Sequence, residues 1–134
     1  MSTGRAGPLV HHELCFGCGR ANLFGLHIEF EQQSEGVITG GCFVKQDHQG
    51  AQPGLAHEGI VATALSEAMS FACGPRMRAT SFELSLGASV PVGTYLEIEA
   101  QTLDLADGGF QASATVTVED EPVASARATY EPLT

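Results

Sequence analysis

The run His57-Glu58-Gly59-Ile60-Val61-Ala62-Thr63-Ala64-Leu65-Ser66-Glu67-Ala68-Met69-Ser70-Phe71-Ala72-Cys73 decides how this chain folds. Ile60, Val61, Ala64, Leu65, Ala68, Met69 and Ala72 recur at helical spacing, and Gly74-Pro75 stops the pattern. The spacing predicts a helix from His57 to Cys73, about 25 Å long. Between Glu58 and Cys73 its single charge is Glu67. The less apolar side is Gly59, Thr63, Ser66, Glu67 and Ser70, where a solvated helix would carry Lys and Glu. Small hydroxyl residues point instead to a face covered by sheet, by a second subunit or by a ligand.

On either side of this helix the period changes to two. Before it, Leu26, Ile28 and Phe30 alternate with His27, Glu29 and Glu31, Ser34-Glu35-Gly36 turns the chain, and Val37 to Val44 returns. Gly40-Gly41 in the second of these strands marks a bulge or a close backbone approach. After the helix come four strands: Phe82 to Val90, Leu96 to Gln101, Phe110 to Val118 and Ala124 to Tyr130. Pro91-Val92-Gly93, Asp107-Gly108-Gly109 and Asp120-Glu121-Pro122 separate them. Strict alternation means one buried face per strand, the pattern of an antiparallel sheet. One helix against one sheet is the smallest way to bury both, so the chain reads as α+β in the order ββαββββ. The last two strands offer mostly Ala and Ser inward, so the helix must lie close, wrapped by a curved sheet.

Composition narrows the function classes. At 134 residues and 43% hydrophobic, the chain is one domain with a real core. Residues 1–13 read as a flexible polar leader, His11-His12 included, and 14–134 as the domain. Six basic residues against 16 acidic ones give a net charge of −10, with no basic run, which argues against nucleic acid or an anionic membrane as partner. Sixteen glycines fall between patterned segments as turn punctuation. Met1 to Val10 has no apolar core of an export signal, and no stretch approaches the ~20 apolar residues of a transmembrane helix. A cytoplasmic location is therefore expected, with Cys15, Cys18, Cys42 and Cys73 as free thiols.

Several spaced motifs add a resemblance. Cys15-Phe16-Gly17-Cys18-Gly19-Arg20-Ala21-Asn22 with Gly25-Leu26, then His48-Gln49-Gly50, Pro53-Gly54, the His57–Met69 run and Pro91-Val92-Gly93, together resemble hotdog-fold acyl-CoA thioesterases. The branch is that of phenylacetate-pathway and 4-hydroxybenzoyl-CoA thioesterases, and the likeness covers about residues 14 to 130. It implies a hotdog fold, one long central helix wrapped by a six-stranded antiparallel sheet. It also implies a homodimer or homotetramer with sites between subunits, and an acyl thioester as the small-molecule partner. Two positions depart from the family. His57-Glu58-Gly59 stands for the usual His-Gly-Gly, and the catalytic carboxylate, nine positions after that His, falls on Ser66.

Thioester hydrolysis needs a cradle for an oxyanion and a way to deliver water or a covalent nucleophile. The helix N-terminus at Glu58 and Gly59 offers unpaired N–H groups and the positive end of the dipole. Ser66 shares a helix face with Gly59 about two turns on, and its hydroxyl needs a base to attack. The catalytic candidates are thus Ser66, Glu67, Glu58 and His57, although a packing serine, an interface charge, a first-turn carboxylate and a helix cap are equally ordinary readings. Candidate substrate-binding residues are Gly59, Asn22, Thr63, Arg76 and Arg78, the arginines meeting CoA phosphates. Catalytic loss, leaving a protein that binds an acyl-CoA, a carrier-bound acyl group or another small ligand, is the competing function, favoured by Ser66. Cys15-x-x-Cys18, with Cys42 or His11 and His12, invites zinc, but one C-x-x-C is a weak signal and the resemblance implies no metal. No cofactor is expected beyond the CoA of the substrate.

Overall fold

The computed structural model describes residues 9–106 and 108–133. The elements are β1 (Glu29–Ser34), β2 (Val37–Phe43), α1 (Glu58–Cys73), β3 (Met77–Leu86), β4 (Tyr95–Asp104), β5 (Phe110–Val118) and β6 (Glu121–Pro132), with a short 3₁₀ turn at Gln46–His48. The strands form one sheet in the order β1-β2-β4-β5-β6-β3, every pairing antiparallel. The single helix packs across it, so the expected ββαββββ architecture is the one observed. No helix among the described residues is long and apolar enough to cross a membrane.

The helix follows its apolar stripe. Ile60, Val61, Ala64, Leu65, Ala68, Met69 and Cys73 are buried, and they meet Ile38, Leu96, Ile98, Val116 and the alanines of β5 and β6. Ala112, Ala114, Ala124, Ala126 and Ala128 are all buried, and their lack of bulk lets helix and sheet approach closely. In β4, Leu96, Ile98 and Ala100 face the core while Glu97, Glu99 and Gln101 face out. Gly40 and Gly41 keep regular register with Phe30 and Glu29, so there is no bulge at that pair. Close approach is their reason: a Cβ on Gly40 would stand 2.3 Å from the buried Phe30 ring, and one on Gly41 2.1 Å from the Tyr95 hydroxyl.

Several boundaries differ from the sequence expectation, and β4 runs on to Asp104, three residues past Gln101. β1 starts at Glu29 rather than Leu26, because His27 adopts φ 52 and its Nε2 binds the Asn22 carbonyl at 2.6 Å. β3 runs from Met77 to Leu86, earlier than the Phe82–Val90 alternation implies, and pairs along β6 from Pro132 to Ala124. As an outer strand it keeps Phe82 at 41% and Leu86 at 49% exposure, so its alternation does not bury a face within one chain. The turn before β6 sits on Glu119 and Asp120 (φ 50 and 70), so Glu121 and Pro122 are already strand.

The leader is not uniformly loose. Residues 1–8 lie outside the described residues. Leu9 donates its N–H to the Phe30 carbonyl at 3.0 Å, in effect extending the sheet edge. Two residues later His11 stacks on Phe71 of the helix, ring centroids 3.8 Å apart and 5° from parallel.

Candidate functional site

The start of α1 is built by the loop before it. His48 is buried, accepts from the Lys45 N–H through Nδ1 at 3.4 Å and reaches the Phe24 carbonyl with Nε2 at 3.2 Å. Its own carbonyl takes the His57 N–H at 2.8 Å, which fixes where the helix begins. Gly50 lets the loop close, since a Cβ there would lie 2.8 Å from the His57 Cα. Ala56 N–H bonds the Val90 carbonyl at 2.8 Å, tying this corner to the segment after β3.

His57 is the helix N-cap, and its Nδ1 accepts the Gly59 N–H at 2.8 Å. The Ile60 N–H goes to the His57 carbonyl at 2.9 Å. That leaves the Glu58 N–H without an acceptor among the described residues, at the positive end of the helix. Beside it opens a cleft of about 280 Å³ lined by Leu55, Glu58, Val61, Leu86, Val90 and Val123, among others. The Glu58 carboxylate is 71% exposed and 3.9 Å from the His57 ring.

The other predicted residues divide. Ser66 is exposed on the same helix, with no hydrogen-bond partner among the described residues. Thr63 is committed to the helix itself, its hydroxyl donating to the Gly59 carbonyl at 2.7 Å. Asn22 shapes the loop before β1: Nδ2 donates to the Leu14 carbonyl and Oδ1 accepts from the Phe24 N–H, both at 3.0 Å. Arg76 and Arg78 are exposed beyond Cys73, at the far end of a 16-residue helix, about 24 Å from the cleft within one chain. A single chain therefore does not bring the arginines to the His57–Gly59 turn.

Glu67 turns away from this cleft and into a second cluster. His11 Nδ1 lies 3.0 Å from Glu67 Oε2, and the Cys15 thiol donates to the same oxygen at 3.3 Å. Cys15 Sγ and Cys18 Sγ stand 3.7 and 3.5 Å from His11 Nδ1. Burial, the largest influence, opposes the Glu67 charge, but the hydrogen bond and charge of His11 with the two thiols together hold its carboxyl below the ordinary range. Burial also pushes the Cys18 thiol strongly upward. Sequence reading gave His11 to a solvated leader. The structure corrects this, because no periodicity in a short polar segment signals that its ring stacks on Phe71.

No protein-family model matches the sequence, and no curated protein matches it. Solved structures do. The chain is similar to zebra fish thioesterase superfamily member 2 at 18% identity and TM-score 0.71, covering 80% of this chain and 81% of that one. The E. coli PaaI protein from the phenylacetic acid degradation operon gives 17% identity and TM-score 0.75, covering 81% of each chain. A variant of the phenylacetic acid degradation protein PaaI from Thermus thermophilus gives 22% and 0.72, over 81% of this chain and 95% of that one. At these identities it is the backbone frame that is shared. The chain has the hotdog fold, on the frame of the thioesterase superfamily and PaaI structures.

Proposed function

We propose that this protein hydrolyses an acyl- or aroyl-CoA thioester to the free acid and CoA, working in the cytoplasm as a homodimer or homotetramer with its site at a subunit interface. The observation that carries the proposal is the unaccepted Glu58 N–H beside a cleft of mixed polar and apolar lining, on a hotdog frame. A thioester carbonyl oxygen fits that donor, with Gly59 N–H as a second once His57 swings off it. Glu58 then takes the place of the missing carboxylate. Water attacks the carbonyl carbon as Glu58 accepts its proton, the oxyanion rests on the helix N–H groups, and collapse breaks the C–S bond. The proton returns to the CoA sulfur. Ser66 lies about 12 Å further along the helix and outside this cleft, so it would meet the acyl group only across the subunit interface, while Leu55, Val61, Val90 and Val123 receive the acyl chain. The exposed helix face and the exposed edge of β3 are the surfaces a second subunit would cover.

One observation favours a second reading, in which the acyl thioester is bound and not cleaved: Ser66 has no base in contact, and Glu67 is occupied elsewhere. Turnover by the Glu58→Gln and Ser66→Ala variants separates the two. Loss of about 100-fold or more in kcat for Glu58→Gln, with a smaller loss for Ser66→Ala, supports hydrolysis through Glu58. Unchanged turnover in Glu58→Gln overturns the assignment of Glu58 as base.

A further inference from the structure

The structure assigns a metal site to His11, Cys15, Cys18 and Glu67, and we infer that it takes a zinc ion that clamps the N-terminal segment to the helix. One nitrogen, two sulfurs and one carboxylate oxygen, all within 4.8 Å of one another, come from three separate turns of backbone. Around one zinc, sulfur at ~2.3 Å and nitrogen or oxygen at ~2.0–2.1 Å give tetrahedral edges of about 3.6 Å for S–N and S–O and about 3.4 Å for N–O. Four of the six edges are set by direct contacts: the S–N separations are 3.5 and 3.7 Å, Cys15 Sγ to Glu67 Oε2 is 3.3 Å and N–O is 3.0 Å. Each lies within about 0.4 Å of its edge, so a small outward relaxation would admit the ion.

The surroundings are those of a ligand set. His11 Nε2 lies 3.1 Å from Ser70 Oγ, so a ring N–H there leaves the Nδ1 lone pair free for the ion. Phe71 stacks on the ring and fixes its plane. The His11 backbone N–H donates to Cys18 Sγ at 3.1 Å, which supports a thiolate. Gly17, between the cysteines, has to be glycine: a Cβ would fall 2.1 Å from Glu67 Cγ and expel the carboxylate. Cys18 is buried while Cys15 and His11 are partly open, which gives the ion a path in. Thiolates with imidazole and carboxylate suit zinc, and four protein ligands make the closed sphere of a structural ion. The weak single C-x-x-C of the sequence gains its partners only through the fold, one from the leader and one from α1.

The test is metal content and cobalt spectroscopy on the full chain, kept reduced. One zinc per chain is expected by elemental analysis. Its replacement by Co²⁺ should give tetrahedral d–d bands and a thiolate-to-cobalt charge-transfer band. Cys15→Ala and His11→Ala, both at the rim, should each weaken Co²⁺ binding by about 100-fold or more, Ser70→Ala by about tenfold, and His12→Ala not at all. Circular dichroism on each variant confirms that the fold is retained. A wild-type chain that binds no Co²⁺, or binds it without the thiolate band, overturns the proposal. So does binding that survives Cys15→Ala and His11→Ala unchanged.

Discussion

Replacing His57 tests how the helix start is held and what its imidazole does. The ring makes one hydrogen bond, Nδ1 accepting the Gly59 N–H at 2.8 Å, and is otherwise open to solvent. An N-cap of this kind contributes ~1 kcal/mol, since water partly replaces an exposed cap. For a domain of 134 residues that is a fall of about 3–5 °C in Tm for His57→Ala. Asn caps helices well, so His57→Asn should recover most of the loss. Thermal unfolding by circular dichroism gives the stability, and acyl-CoA turnover on the same samples gives the function. If the ring only caps, Asn restores both. If it also moves a proton or gates Gly59, Asn restores stability and leaves turnover low. A His57→Ala chain as stable as the wild type would refute the capping role and, with it, the picture of Gly59 N–H as a donor that His57 shields.

The other predictions concern packing, titration and assembly. Gly40→Ala pushes a methyl group against the buried Phe30 ring and should cost about 1–3 kcal/mol in urea unfolding, with a smaller loss pointing to a looser sheet edge. Burial pushes the thiols of Cys42 and Cys73 up from 9.0 to about 12 and about 11. Below pH 9 both states keep these protons. Above it the unfolded thiols ionise first, so stability should fall by ~1.4 kcal/mol per pH unit per thiol until each folded value is reached, and a flat profile from pH 8 to 10.5 would contradict their burial. Phe82→Asp, on the exposed edge strand, should lower the solution mass measured by light scattering from that of an oligomer to that of one chain. An unchanged mass would remove β3 from the interface.

Much of the fold is legible in the sequence because burial there has a clean period. The helix boundary is right to one residue, and β4 and β5 alternate as their leucines, isoleucines, alanines and valines require. β3 also alternates, yet it lies exposed at the end of the sheet, since pattern reports which faces could be buried and topology decides which are. At the site, chain neighbours were readable and distant ones were not. The His57–Gly59 turn follows from local capping, whereas His11, Cys15 and Cys18 meet Glu67 from 49 to 56 residues away, with His11 stacked on Phe71 of the helix. The gap between Arg76 and the cleft was hidden for a related reason: the length of the helix separates them, and nothing in the motif spacing says on which end the charges serve.

The measurement that tests the central proposal most directly is loss of the thioester bond in a panel of short, medium, long and aromatic acyl-CoA esters with the purified wild-type chain. Turnover on at least one class, at a rate well above the uncatalysed reaction, is the expected result. No turnover on any class, from a folded and oligomeric protein, would contradict hydrolysis and leave binding without cleavage as the function of this site.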